Sequence, residues 1–312
     1  MRALVKQGSR VRLSHLPLPG VGPLDVLVRV QAAGLCRTDV YVARGLIDCP
    51  DPLILGHEFA GVVIDTGPEV DSVSPGERVA VMPMIPCRAC PLCAAGESTC
   101  CPYHQFLGVQ RDGAFAEFIS VPSHVVFPLP ASLSVVHGAY AEPLAASLAV
   151  LKANILPGQR GLVYGVDRIA QLTARVLRAH GFDSLELYDP TVDEPLPADA
   201  YDFVVETQAS SAALEAVIRA VRPRGRIILK SRPPAPVAID ITAALRKEIV
   251  FETLAYGSFS AAIELLADGR IEVSDLMGEL HPLEDFETVF AQELQGRRSK
   301  PLFYMGAQAP AP

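Results

Sequence analysis

Four cysteines within one short segment place the strongest local constraint on how this chain can fold. They stand in the pattern Cys87-x2-Cys90-x2-Cys93-x7-Cys101. Thiolates at these intervals can close around one tetrahedral zinc ion and leave no position for a substrate, so we expect a structural metal site. Four unrelated thiols are the alternative, which their exposure on a polar loop disfavours. Cys100 can compete with Cys101 as the fourth ligand, and Cys49 is expected to be unliganded.

A second metal site is predicted from three residues that lie far apart in the sequence. Cys36, His57 and Glu142 offer a thiolate, an imidazole and a carboxylate, a donor set that leaves the fourth position of a catalytic zinc open. Each residue alone is weak evidence for a metal site, since a single His among apolar neighbours is more often a hydrogen-bonded core residue than a ligand. Glu58 either enters the metal shell or orients a ligand from outside it.

Composition excludes several functional classes. The 312 residues are 50% hydrophobic, which is enough for two domains with buried cores. The net charge of −8 gives no basic surface for nucleic acid. Charged residues and prolines interrupt the apolar runs before a membrane could be spanned, and the first residues lack the apolar region of a signal peptide. We therefore expect a soluble cytoplasmic protein whose seven cysteines are metal ligands and free thiols.

The hydrophobic period changes along the chain. Short β-type runs dominate before Ala141, where an Ala-rich helical stretch begins. Gly161–Tyr164 then reads as a strand, followed by a turn at Gly165, a helix, and a second strand that ends at Asp189. This βαβ unit places a carboxylate roughly 20 residues after the glycine, where dinucleotide-binding folds hold the ribose hydroxyls.

Four motifs together resemble the zinc-dependent medium-chain dehydrogenase/reductase family, which includes alcohol, polyol and threonine dehydrogenases. They are Cys36-x-Thr38-Asp39, Gly56-His57-Glu58-x2-Gly61, the four-cysteine segment and Ala141-Glu142-Pro143-Leu144. The resemblance implies an α/β fold with a GroES-like β-rich catalytic domain (residues 1–143 and 264–312) and a Rossmann domain with a doubly wound parallel sheet (144–263). It also implies an active site in the cleft between them. Glu at position 142 looks more like the polyol and threonine dehydrogenase branch.

The activity that this resemblance implies is a zinc-dependent oxidoreductase, transferring a hydride between NAD(H) and a small alcohol or polyol, or its carbonyl. Two zinc ions per chain are expected, one structural and one acting as a Lewis acid on the substrate oxygen. The implied catalytic residues are Cys36, Thr38, His57, Glu58 and Glu142. The hydroxyl of Thr38 would relay the alcohol proton, although it is alternatively a local helix cap.

The glycine-rich loop departs from the family pattern. Only the first glycine of G-x-G-x-x-G remains in Gly165-Val166-Asp167-Arg168, and Asp167 adds bulk and negative charge where backbone normally approaches the pyrophosphate. We expect these residues and Asp189 to bind the cofactor, but weakly. Arg168 pairs either with Asp167 or with the phosphates. The alternative is that the loop no longer binds a dinucleotide.

Two further departures affect the cofactor and the relay. Only residues 190–201 separate Asp189 from the next strand, so the edge strand of the sheet and its helices are expected to be missing. Asp189 favours NAD over NADP because a carboxylate repels a 2′-phosphate. Tyr41 stands where related alcohol dehydrogenases often carry a His, and its higher pKa makes it a poorer base.

Other readings remain open at this level. One alternative is an NAD(P)H-dependent reductase of an activated C=C bond on the same fold, and another is a non-catalytic zinc-binding relative. The partner is expected to be a small molecule, with Leu46, Tyr103 and Phe106 near it, and the substrate itself cannot be identified. A homodimer or homotetramer is expected, with an exposed strand at residues 249–253 available for pairing.

Overall fold

A computed structural model describes residues 1–293, 299–306 and 309–310 of the chain. The chain divides into two compact units. Unit 1 comprises Met1–Glu142 and Phe259–Pro312, and unit 2 comprises Pro143–Ser258. Among the residues that the structure describes, no helix combines the length and the hydrophobicity needed to cross a bilayer.

The strands are numbered in chain order. They are β1 (Arg2–Gln7), β2 (Arg10–His15), β3 (Asp25–Gly34), β4 (Leu53–Ile54), β5 (Glu58–Thr66), β6 (Arg78–Val81), β7 (Met84–Ile85), β8 (Gln105–Phe106), β9 (Phe118–Pro122), β10 (Val126–Pro128), β11 (Gly161–Tyr164), β12 (Leu185–Tyr188), β13 (Tyr201–Glu206), β14 (Val221–Leu229), β15 (Val250–Thr253), β16 (Met277–Pro282) and β17 (Lys300–Tyr304).

The α-helices follow the same convention. They are α1 (Arg37–Ala43), α2 (Pro91–Ala94), α3 (Val135–Gly138), α4 (Ala141–Leu148), α5 (Arg168–Ala179), α6 (Ser211–Ala220), α7 (Ile241–Arg246), α8 (Phe259–Ala267) and α9 (Phe286–Glu293). Short 3-10 helices occur at Ser98–Cys100, Ser123–Val125, Ala149–Lys152, Ser274–Leu276 and Leu283–Asp285.

Unit 1 is built mainly from antiparallel β-structure. Its largest sheet has the order β10-β6-β5-β3-β17-β16, with β9 also paired to β3, and a smaller sheet has the order β2-β1-β4. The strand β3 is central because it pairs with β5, β9 and β17. Most of its residues are buried in succession, so both faces of the strand are covered over much of its length. The chain end therefore completes a sheet that the first third of the chain begins.

Unit 2 is a five-stranded parallel sheet in the order β12-β11-β13-β14-β15. Each pair in this order is parallel. The helix α5 connects β11 to β12, and α6 connects β13 to β14. The chain order reverses between β11 and β13, which is the point where open α/β sheets bind ligands, at the carboxyl ends of the strands.

The predicted fold class is confirmed, including the trimmed sheet. The strand β12 lies at the edge, and residues 189–200 form neither helix nor strand. Twelve residues are too few for a parallel crossover and a further strand, which explains the shortened sheet. The strand β15 is the opposite edge.

Residues 296–300 form a basic run, a pattern that a solvated helix C-terminus would explain. In the structure, however, Lys300 begins β17 and is buried. Residues 296–298 of that run, and Leu294, whose spacing from Phe286 and Phe290 predicts the same helix face, lie outside the described residues.

Candidate metal centre

Within the part of the chain that the structure describes, two groups of side chains could hold a metal ion. The first is Cys87, Cys90, Cys93 and Cys101, and the second is Cys36, His57 and Glu58. In each group, one ligand atom per residue lies within 4.8 Å of every other. Both groups belong to unit 1.

The four-cysteine group is arranged by short helical turns. Cys90 is the N-cap of α2, and its sulfur accepts a hydrogen bond from the backbone N–H of Cys93 at 3.5 Å. The Cys101 sulfur accepts from the backbone N–H of Cys87 at 3.3 Å. Such N–H donors stabilise thiolates. Cys101, not the exposed Cys100, is the cysteine that completes this group.

The electrostatics of these thiols fit a cation. A backbone hydrogen bond from Ala89 is the main cause that lowers the pKa of Cys87 to about 7. Burial, with the neighbouring Cys90 and Cys101, raises the pKa of Cys93 to about 11. The four thiols cannot all ionise beside one another without a positive charge, which a zinc ion would supply.

The second group is assembled from two turns and the start of a strand. Cys36 lies between β3 and α1, His57 lies between β4 and β5, and Glu58 is the first residue of β5. Gly56 precedes them with φ of +95°, and a Cβ there would lie 2.6 Å from the ring of Phe115. Only glycine fits this turn, which delivers the imidazole next to the thiol.

Asp39 orders this group from a fully buried position. Its Oδ1 accepts from His57 Nδ1 at 3.0 Å and from the backbone N–H of Gly56 at 3.1 Å. Its Oδ2 accepts from the backbone N–H of Cys36 at 2.9 Å. Because Nδ1 of His57 is bonded to Asp39, Nε2 is the nitrogen left to bind a metal.

Burial and charge act in opposite directions on His57. Burial alone would lower its pKa, but the charges of Asp39 and Cys36 raise the pKa well above 6.5. A metal ion at Nε2 would therefore compete with a proton, and we expect metal affinity to fall with falling pH.

Glu58 forms a buried ion pair with Lys300. The lysine Nζ donates to Glu58 Oε2, and the side chains of Glu58 and Lys300 are 2% and 4% exposed, respectively. Lys300 Nζ also lies 3.4 Å from the carbonyl oxygen of Leu35. This contact holds the Glu58 carboxylate beside the metal group, and the sequence interpretation missed it.

The other predicted site residues differ in their positions and burial. Glu142 is buried in the first turn of α4 but is not part of the three-residue group among the described residues, so its role as a ligand stays a prediction. Thr38 is half-buried in the first turn of α1, where Asp39 supplies the capping bond. Phe106 packs edge-on against His57, with ring centres 5.3 Å apart. Tyr103 and Leu46 are exposed.

The predicted cofactor residues lie in unit 2, at the carboxyl ends of two neighbouring strands. Gly165 follows β11 and Asp189 follows β12, and the last residues of these strands, Tyr164 and Tyr188, are paired. Gly165 has φ of +123°, and a Cβ there would lie 2.4 Å from Thr207 Oγ1. Glycine at this position therefore allows the turn to pack closely against Thr207, which is the role of the first glycine in a dinucleotide-binding turn.

The remaining loop residues fit a dinucleotide less well. Asp167 is the N-cap of α5, and its Oδ1 accepts from the backbone N–H of Ala170 at 3.0 Å. Val166 and Arg168 are half-buried on either side of it. At the end of β12, Asp189 Oδ1 accepts from both the backbone N–H and the hydroxyl of Thr191.

Glu206, at the end of β13, is a buried acid at this edge that the sequence interpretation did not single out. It is 0% exposed, and its Oε2 accepts from the hydroxyl of Ser231 at 2.8 Å. Its Oε1 has no hydrogen-bond partner among the described residues. Burial is the main cause of its raised pKa, to which the charge of Asp167 adds. Its sole sequence signal was a charged residue at the end of an apolar strand.

Comparison with known proteins gives one matching family model. Residues 22–131 match the alcohol dehydrogenase GroES-like domain. This segment holds Cys36, His57, Glu58 and the four-cysteine group.

Relatives extend over nearly the full chain. D-xylulose reductase A of Aspergillus niger is 29% identical, over 94% of this chain and 93% of its own length. L-threonine 3-dehydrogenase of Bacillus velezensis is 26% identical, over 96% of this chain and 97% of its own. A structure described as a zinc-binding dehydrogenase from Sinorhizobium meliloti 1021, bound to NADP, has a TM-score of 0.90 and 26% identity, covering 97% of this chain and 99% of its own.

Replacement of Lys300 tests the buried ion pair. We expect Lys300→Met to lower the free energy of unfolding by roughly 3–5 kcal/mol, because it leaves the Glu58 carboxylate buried without its partner. Chemical denaturation measures the loss. The double variant with Glu58→Gln should be less destabilised than the sum of the single variants.

A surface ion pair provides the control for this cycle. Arg222 contacts Asp202 but has a side chain that is 55% exposed, so Arg222→Met should cost about 1 kcal/mol or less. Equal losses in the two single variants, or strict additivity in the double variant, would contradict a coupled buried pair.

Proposed function

The chain belongs to the medium-chain dehydrogenase/reductase family and is an NAD(P)-linked alcohol oxidoreductase, and from this premise we propose that it oxidises a small alcohol or polyol, or reduces the corresponding carbonyl, at a zinc centre in unit 1. Cys36 and His57 are the ligands on which the proposal rests, with Glu58 or Glu142 as the carboxylate. The relatives named for D-xylulose and L-threonine support a substrate with a secondary hydroxyl.

The observation that carries this proposal is the convergence of Cys36, His57 and Glu58 within 4.8 Å. The group combines one sulfur, one nitrogen and one oxygen donor, as catalytic zinc sites do, and it offers fewer than four ligands. The four-cysteine group, by contrast, fills all four positions. We therefore propose two zinc ions per chain, with different roles.

The residues around the site have two roles: they hold the ligand side chains in place, and they shield them from water. When bound, the zinc would stabilise negative charge on the substrate oxygen, and the nicotinamide would accept the hydride. Asp39 fixes the ring and tautomer of His57, so that Nε2 points away from the hydrogen bond. Phe106 covers one edge of the imidazole and limits access by water.

The alcohol proton must leave before hydride transfer, and Thr38 is the proposed carrier. It lies two residues after Cys36, in the first turn of α1. A hydroxyl can accept and donate at once, so it passes a proton without changing charge. Tyr41 lies one turn further along the same helix. We propose that water takes the proton onward.

NAD is the proposed cofactor rather than NADP. Asp189 follows β12, and its backbone N–H is held by the carboxylate of Asp193. Two carboxylates at this edge would repel a 2′-phosphate, while Asp189 remains suited to ribose hydroxyls. The structure from Sinorhizobium meliloti 1021 is bound to NADP, so NADP is the cofactor against which this preference is measured.

Metal analysis of ligand variants tests the zinc assignment. We expect about two zinc equivalents in the purified protein and about one in Cys36→Ser or His57→Ala, because the four-cysteine site is independent. Whichever of Glu58→Gln and Glu142→Gln also loses the second equivalent identifies the carboxylate ligand. Cys49→Ser is the matched control and should retain both. A single equivalent in the unmodified protein would contradict the catalytic site.

Absorbance of reduced nicotinamide tests the reaction. With secondary alcohols and polyols, we expect NAD reduction that falls at least 100-fold in Cys36→Ser and 10-fold or more in Thr38→Val. NADP should be used less well, by roughly 10-fold or more. Reduction of α,β-unsaturated thioesters without alcohol oxidation would instead support a C=C reductase. No turnover with either class would support a non-catalytic relative.

Assembly as a homodimer is proposed from the free edge of the parallel sheet. The strand β15 ends the sheet, and Val250 on it is 39% exposed. An exposed edge can pair with its symmetry mate. Light scattering should give twice the chain mass, and Phe251→Pro should lower it by removing a backbone donor. An unchanged mass in this variant would exclude this edge, and four chains would indicate a tetramer.

A further inference from the structure

The N-terminus of α5 carries an internal anion. This helix has 12 residues, and its first turn presents backbone N–H groups and the positive end of the helix dipole. Such a terminus favours a negatively charged group, commonly the phosphate of a nucleotide. Here the Asp167 carboxylate accepts from the Ala170 N–H at 3.0 Å. The helix terminus that would attract a phosphate is therefore already bonded to a carboxylate of the chain itself.

The loop that carries Asp167 is held in place by its neighbours. The backbone N–H of Gly165 donates to the carbonyl of Tyr188 at 2.9 Å. On the other side, Thr207 donates its hydroxyl to the carbonyl of Tyr164 at 2.9 Å, and Gly165 fits closely against Thr207. These bonds fix the start of the turn, and the bond between Asp167 and the Ala170 N–H fixes its end at the helix. Asp167 therefore sits at the helix terminus as part of an ordered structure.

A second acidic side chain, Glu206, lies at the same carboxyl-end edge of the parallel sheet. Glu206 ends β13, is 0% exposed, and has an Oε1 without a hydrogen-bond partner among the described residues. Burial is the main cause that raises the pKa of Glu206, and the charge of Asp167 adds to it. The edge thus holds two acidic side chains before any ligand arrives. Two cofactor phosphates would add further negative charge beside them.

We propose that the Asp167 carboxylate competes with the pyrophosphate of the dinucleotide for the N-terminus of α5, so that the cofactor binds only when this carboxylate gives up its bond to Ala170. The inference rests on the proposed nicotinamide-linked function and extends it. Asp167 is a specificity-determining residue that weakens cofactor binding, and the helix terminus alternates between an internal and an external anion.

Neutral replacement of Asp167 tests the competition directly. Asn at position 167 retains an oxygen that can cap α5 and removes the charge, so Asp167→Asn should fold with a similar Tm. In zinc-loaded full-length protein, we expect its Kd for NADH to fall about 10-fold, measured by fluorescence titration. Asp167→Gly should bind at least as tightly, because the backbone can then approach the phosphates. Inorganic pyrophosphate should also displace NADH more effectively from both variants than from the unmodified protein.

A second helix offers a matched control. Asp240 caps α7 in the same way, accepting from the Ala243 N–H at 2.9 Å. Asp240→Asn should leave the Kd for NADH and the effect of pyrophosphate unchanged. An equal shift in Asp240→Asn and Asp167→Asn would show a general charge effect and overturn the proposal.

The outcomes separate this inference from the proposed function. Unchanged or weaker NADH binding in Asp167→Asn, with saturable binding in the unmodified protein, would overturn the competition and leave the cofactor assignment intact. No saturable binding of NADH or NADPH to the unmodified protein or to either Asp167 variant would overturn the cofactor assignment, and the competition with it.

Discussion

The buried ionic contacts around His57 are the constraint on which unit 1 depends. Moving a charged group out of water costs several kcal/mol of hydration free energy. Charged groups therefore persist in a protein interior only when each has a partner. Asp39 receives donors from three points of the chain, and Glu58 receives Lys300. These bonds join the start of α1, the turn before β5 and the strand β17. The metal ligands are thus held by the same contacts that hold the sheet together.

The two metal groups follow from different physical principles. The four cysteines lie within one segment, so two short helical turns and backbone N–H donors are enough to gather them. Cys36, His57 and Glu58 come from separate turns and need the whole β-structure to meet. A structural zinc can therefore form locally, whereas the catalytic site exists only in the folded unit. This difference matches the roles we propose for the two ions.

Much of the fold and part of the site were predictable from sequence. Short β-type runs between turns predicted the strands, the change of period predicted the parallel sheet, and the short interval before β13 predicted the missing edge strand. Cysteine spacing predicted the four-thiol group because its geometry is local. Cys36 and His57 were predictable as neighbours through their motifs, while the role of Glu142 as a ligand stays a prediction.

The parts that sequence did not reveal are those that depend on tertiary contacts. Lys300 stands in a basic run typical of a solvated surface, and its partner Glu58 lies 242 residues away. Glu206 reads as the ordinary end of a strand, and its burial is set by the neighbouring strands. The negative charge of Asp167 in the loop could be predicted from the sequence, but its hydrogen bond with the backbone N–H of Ala170 is visible only in the structure.

The position of β17 has a consequence for biosynthesis. Its partner β3 leaves the ribosome early, but β17 emerges only after the whole of unit 2. Until then one edge of β3 in the largest sheet of unit 1 is unpaired, and Glu58 lacks its ion-pair partner Lys300. Long-range pairings of this kind slow folding and leave edges open to aggregation. Unit 2 is contiguous in sequence and can fold first, so the nascent chain should gain its parallel sheet before the group of Cys36, His57 and Glu58 is complete.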